Sequence, residues 1–149
     1  ADFAWIYYAW DGVNCELMDY PINFILMRDI DERLDFYSPV LITRDELLEE
    51  DPELVQKFLR ATAKGYADAI SDADAAVEAL MEAAPELDRE LLAASQEWLN
   101  NESKKTNETW GSMTAERWEN FALWMSENGL LEEEINVDSA FTSDFLPKE

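Results

Sequence analysis

The sequence predicts an α/β domain that is rich in helix and has an incomplete sheet. Three observations carry this. Apolar, β-branched and aromatic runs of strand length fall early in the chain, at Phe3–Tyr8, Asn23–Met27 and Phe36–Thr43. Everything after Arg44 is helical in pattern. Three strands are too few for a balanced sheet under so many helices. The remaining strands are therefore expected from residues outside this sequence, or from a partner chain.

Each element has its own justification. Phe3 to Tyr8 is a strand by its aromatic and β-branched content. Trp10 to Met18 reads as a short helix, with Asp11 in its first turn, where the helix dipole favours an acid. Tyr20-Pro21 ends it. Asn23 to Met27, "NFILM", is the second strand, and "RDIDERLD" is a polar connector. Phe36 to Thr43, "FYSPVLIT", is the third, with Pro39 confined to an edge or a bend. "TRDELLEE" opens the helical part with Thr43 as cap and Glu46 three residues on, a capping box. Asp51-Pro52 starts a long helix with a cap and a proline at the first position. Leu54, Phe58 and Ala61 run down one face of it, with Val55, Leu59, Tyr66 and Ile70 alongside.

Asp72 caps the next helix, whose inner face is Ala73, Ala76, Val77, Leu80 and Met81, and Pro85 stops it. Leu87, Leu91, Leu92, Ser95, Trp98 and Leu99 form a further stripe. Asn100 to Thr109 is polar and aperiodic, a predicted loop. Thr114 caps a helix carrying Trp118, Phe121, Ala122 and Met125, and Asn128-Gly129 closes it. "NVDSAFTSDFLP" reads as a short helix and tail.

Composition narrows the function. The chain has 149 residues, enough for one domain with a core but not comfortably for two. Six Trp and 48% hydrophobic residues mark a folding sequence. The net charge of −23 repels phosphate backbones and anionic membrane surfaces, so nucleic acid is not an expected partner. One cysteine, Cys15, excludes an intrachain disulfide and a Cys-based zinc site. The lack of histidine excludes a Ser-His-Asp triad and a Cys-His pair within this chain. No cofactor is expected. No signal peptide is visible, and the apolar runs fall short of a membrane span. A strand pattern begins at once, with no cap, loop or initiator Met, so the sequence is expected to be a piece of a longer protein.

The stretch "DFAWIYYAWDG" carries the chemical interest, with five aromatic residues in eight positions before an acid and a glycine. It reads either as a buried aromatic strand or as the wall of a pocket for something flat. Asp29, Asp31 and Asp35 have alternating spacing, but Arg33 stands at a required ligand position and no glycine turns the loop, which argues against calcium. Asn101-Glu102-Ser103 and Asn107-Glu108-Thr109 fit glycosylation acceptors, which carry no meaning in a bacterial protein. Trp98, Trp110, Trp118 and Trp124 are expected to pack between helices, and Cys15 to be a small buried hydrophobe.

The segments "DFAWIYYAWDGV", "LDFYSPVLITRDELLEEDPELVQKFLRATAKGYADAISDADAAVEAL", "APELDRELLAASQEWL", "RWENFALWMSENGLL" and "VDSAFTSDFLP" occur in an order that resembles one family. They are similar to the C-terminal half of the solute-binding proteins of ABC importers for thiamine-pyrimidine precursors. Relatives of these include the eukaryotic pyrimidine synthases of thiamine biosynthesis. The resemblance implies the C-terminal portion of a type II periplasmic-binding-protein fold. Residues 1–35 would be the end of the second lobe, 36–43 the hinge crossover strand, and 44–149 the C-terminal helical part of the first lobe. It also implies a membrane-anchored lipoprotein outside the cytoplasm, an ABC permease as partner and no catalysis. Relatives with this layout bind formylaminopyrimidine, hydroxymethylpyrimidine, riboflavin or aliphatic sulfonates. The synthases carry iron-linked cysteines where this chain reads Leu34 to Ser38, and no cysteine stands there.

In such folds the end of a strand and the start of the next helix face the ligand cleft. The expected small-molecule site is therefore Tyr7, Tyr8, Trp10 and Asp11, with Tyr37 at the hinge strand. The rings would stack on a pyrimidine-like ligand, and Asp11 would accept from its amino groups. The alternative for Asp11 is service to the helix dipole, and for Phe3 and Trp5 a place in the core. Unpaired strand edges in this chain alone lead to an expected homodimer.

Overall fold

Helices and turns make up all the regular structure among the described residues, which are 3–103 and 109–148 of a computed structural model. In chain order these are a π-helical turn at Tyr8–Gly12, α1 (Val13–Leu17), α2 (Met27–Ile30) and a 3-10 turn at Glu32–Leu34. Then come α3 (Asp45–Glu50), α4 (Pro52–Ser71), α5 (Ala73–Ala83), α6 (Arg89–Ser103), α7 (Ala115–Glu127) and a 3-10 turn at Val137–Ser139.

The expected sheet is not formed. No strand occurs among the described residues, and most of the three apolar runs lies outside any regular element. The physical reason is local. A strand is held by the backbone of its neighbour, and no described segment supplies one. Phe3 and Trp5, expected in a core, are 93% and 62% exposed. Met27 leaves the second run to start α2, and the connector after it folds into helical turns.

Where capping chemistry is strong, helix ends fall as the residues dictate. Asp72 accepts from the Ala75 N–H at 3.0 Å at the start of α5. Thr114 accepts from the Arg117 N–H at 3.4 Å at the start of α7. Asp51 accepts from the Leu54 N–H at 3.0 Å, ahead of Pro52. Gly129 closes α7 with φ of 68°, and Leu130 N–H reaches back to the Met125 carbonyl at 2.9 Å. The capping box at Thr43 does not form. The cap of α3 is Arg44, which makes no side-chain capping bond.

The chain divides into two compact units. The first holds the described residues of Ala1–Asn23 and Thr62–Glu108. Its core is Val13, Val77, Leu91 and Leu92. The predicted loop from Asn100 is helical as far as Ser103, and residues 104–108 lie outside the described residues, with them most of the second glycosylation triplet. Asn100 has a task inside the helix. Its buried side-chain amide donates to the carbonyls of Ala69 (3.4 Å) and Ile70 (3.5 Å), and accepts from Gln96 at 2.8 Å. Those carbonyls end α4 and have no partner within it.

The second unit holds the described residues of Phe24–Ala61 and Thr109–Glu149. Leu34 is its buried aliphatic residue, and rings do the rest of the packing. Phe36 stacks on Phe121 at 4.5 Å between centroids, and Trp118 on Phe141 at 5.7 Å. Arg33 grips Asp31 and also donates to Glu127 at 2.6 Å, tying the 3-10 turn to α7. The first half of α4 belongs to this unit and the second half to the other. None of its residues is buried, and Leu54, Phe58, Tyr66 and Ile70 of its expected inner face are exposed.

Candidate functional site

In the first unit the aromatic stretch stops being extended at Tyr7. From there the chain enters a turn wider than an α-helix. Trp10 and Asp11 N–H groups both reach the Tyr7 carbonyl at 2.9 Å, and Val13 N–H reaches back five residues to Tyr8. Single π turns cost hydrogen-bond geometry and recur at functional sites. The turn is fixed from α6, where the Ser95 hydroxyl donates to the Ala9 carbonyl. One Asp11 carboxylate oxygen accepts from the Tyr7 N–H at 3.1 Å, which locks the first turn.

The four expected residues of this stretch therefore sit on one turn, but not in equal states. Tyr7 and Trp10 are exposed, and so is Asp11. Tyr8 is half-buried and held. Its ring lies 5.5 Å from that of Trp98, centroid to centroid. Gly12 lies beneath it, so close that a Cβ there would fall 2.6 Å from a ring carbon. The Tyr8 hydroxyl donates to the Glu16 carboxylate. That bond, burial and the Glu16 charge together raise the phenol above its ordinary pKa. Glu16, Gly12 and Trp98 were not expected at the site. The first two stand eight and four residues after Tyr8, a spacing that only a known turn type makes legible. Trp98 is far away in sequence, and was expected only as a packing residue.

Tyr37 lies in the second unit. The guanidinium of Arg117 sits over its ring, 4.3 Å from the centroid. The Thr114 N–H donates to its hydroxyl at 3.0 Å. Arg117 is anchored in turn, donating to the Asp35 carbonyl at 2.6 Å and its carboxylate at 2.8 Å. Phe36, Tyr37, Arg117, Trp118 and Phe121 line an open hollow of about 60 Å³. The indole N–H of Trp118 is buried and has no hydrogen-bond partner among the described residues. Arg117 has a signal in hindsight: it is one of only 11 basic residues against 34 acids, on an aromatic-rich helix.

Two of the three acids weighed for calcium, Asp31 and Asp35, have other partners. Arg33 holds Asp31, and its side-chain and backbone hydrogen bonds keep that carboxyl below its ordinary pKa. Arg117 holds Asp35. Cys15 is partly exposed, not fully buried as expected. Trp98, Trp118 and Trp124, expected to pack between helices, meet the rings of Tyr8, Phe141 and Phe121, and the last of these lies on the same helix as Trp124. Among the described residues no helix is long and apolar enough to cross a membrane.

Comparison with known proteins gives the class. A family described as NMT1/THI5 like matches residues 1–76, just over half of the chain, and the chain belongs to that family. The riboflavin-binding protein RibY of Chloroflexus aurantiacus is 28% identical over 133 residues, which are 85% of this chain and 37% of that protein. The formylaminopyrimidine-binding protein of Halalkalibacterium halodurans is 31% identical over 108 residues, 70% of this chain and 33% of that protein. The chain thus spans about a third of the length of the curated relatives it matches. The resemblance read from the residues is borne out at the level of the family.

Proposed function

We propose that this chain is part of an extracytoplasmic solute-binding protein of an ABC importer and helps bind a thiamine-precursor pyrimidine or a similar flat heteroaromatic ring. One observation carries the reading. A single turn offers two exposed rings, a third ring held still and a carboxylate, in a chain whose relatives are named for binding riboflavin and formylaminopyrimidine. In this proposal Tyr7, Tyr8 and Trp10 stack on the ligand, each contact worth about 0.5–1.5 kcal/mol beyond burial. Asp11 accepts from ring amino groups through the oxygen not used by Tyr7. Tyr37, in the second unit, is proposed as a further ligand contact.

The rest of the expectation belongs to the same proposal. The lobe assignment of 1–35, 36–43 and 44–149, the lipoprotein anchor and the permease partner describe a longer protein. No catalysis is proposed. Where the synthases carry cysteines, this chain places Phe36 and Tyr37 in an aromatic wall. A homodimer of this chain is proposed from its exposed apolar segments.

A thermal-shift screen against pyrimidines and flavins tests the reading. Ligand at 100 times its dissociation constant is expected to stabilise the fold by about 2.7 kcal/mol. Asp11→Asn and Tyr8→Ala are expected to weaken binding, the first by about 1.5–3 kcal/mol for a lost charge-assisted bond. No shift with any pyrimidine or flavin, together with turnover of a substrate, overturns it. Normal binding by both variants moves the pocket elsewhere.

A further inference from the structure

Tyr8 differs from the other aromatic residues of its stretch. Phe3, Trp5, Tyr7 and Trp10 are exposed, whereas the Tyr8 ring is confined by Trp98 at its side, Gly12 below and Glu16 at its tip. Packing explains the first two contacts. It does not explain the third. Glu16 is exposed, so water competes for the phenol and the bond adds little to folding. In a chain with 34 acids and 11 bases, another carboxylate is no electrostatic gain. What the bond does is aim the ring. A ring already fixed in the free protein loses no rotamer freedom when a ligand stacks on it.

We propose that Glu16 and Trp98 are positioning residues, which hold the Tyr8 ring as a preformed stacking surface for the flat ligand. The proposal rests on the ligand reading above. Titration with riboflavin, followed by its own emission, and with hydroxymethylpyrimidine, followed by calorimetry, tests it. Glu16→Leu is expected to raise both dissociation constants roughly three- to tenfold, the cost of freezing one side chain on binding. Glu16→Gln keeps an acceptor and is expected to restore binding to within about twofold of the parent. Trp98→Leu is expected to weaken binding as Glu16→Leu does. Tyr8→Phe in the Glu16→Leu background is expected to cost nothing more, because both changes break one bond.

Each outcome decides something. If both probes bind, Tyr8→Ala abolishes binding and Glu16→Leu binds as the parent does, the positioning role falls and the aromatic site stands. If Tyr8→Phe and Glu16→Leu losses add, Glu16 touches the ligand itself and positioning is overturned. If the parent binds neither probe, the ligand reading falls and takes this proposal with it.

Discussion

Gly12 shows how one residue decides between two opposed effects. Its backbone is right-handed helical, with φ of −64° and ψ of −48°. Helix propensity alone favours Ala there by about 1 kcal/mol. The Tyr8 ring reverses the sign, because the new Cβ would lie 2.6 Å from it and the ring has no room to retreat from Trp98. Overpacking of this kind costs about 1–3 kcal/mol. Gly12→Ala is therefore expected to lower stability in chemical denaturation, and to raise it in a Tyr8→Ala background. A second prediction concerns alkali. The Tyr8 phenol titrates higher in the folded chain than its ordinary value of 10.0, chiefly through the bond to Glu16. The raised folded value means that the stabilisation is complete below about pH 10 and lost as pH rises through the folded pKa. Glu16→Leu, which removes the acceptor, is expected to flatten stability against pH above 10, as read by melting temperature. The rings of this site were legible in the sequence because aromatic residues crowd one stretch. Their supports were not, since Trp98 and Ser95 arrive from α6, some ninety residues on, by packing that no local pattern encodes.

Helix ends make the same point one scale up. Two helices end on a left-handed residue: Asp19 after α1, with φ of 51°, and Gly129 after α7, with φ of 68°. Behind Asp19 the Tyr20 N–H reaches the Cys15 carbonyl at 2.8 Å. A side chain in this conformation costs about 1 kcal/mol relative to Gly. Asp19→Gly is thus expected to stabilise the fold by up to about 1 kcal/mol, and Gly129→Ala to destabilise it by about the same amount. A Cβ at Gly129 meets nothing within 4 Å, so the second effect is backbone alone. Opposite shifts in the denaturation midpoint check the pair, and equal signs refute the account. Caps such as Asp72, Thr114 and Gly129 were legible because their chemistry is satisfied within four residues. Strands at Phe3–Tyr8, Asn23–Met27 and Phe36–Thr43 were not. Their residue types announce extended backbone, but a ladder depends on a neighbour that no local sequence reports.

At the scale of the whole molecule, those same runs set the last expectation. A folded domain of 17.2 kDa exposes about 7,800 Å², and two separate halves about 9,400 Å² together. This chain exposes 11687 Å². The excess over even the larger figure is about 2,300 Å², the area of a sizeable protein–protein interface. Much of the uncovered surface is apolar: Phe3, Trp5, Ile25, Leu41 and Ile42 are all more than half exposed. Their backbones lie outside any helix or ladder, so their N–H and C=O groups have no strand partner among the described residues. The charge of −23 opposes association, but the runs at 3–8, 23–27 and 36–43 contain no charged residue at all. Repulsion therefore acts from a distance, and at physiological salt it is screened over about 8 Å. Short-range pairing wins on this count, and the chain is expected to associate at micromolar concentration, more strongly as salt rises. Trp5→Lys and Ile42→Lys, each placing a charge on an uncovered run, are expected to shift it towards the monomer. Light scattering across a salt series measures this. A particle of 17.2 kDa at every salt concentration, unfolding in one sharp transition, would mean that the three runs need no cover and that the proposed dimer is wrong.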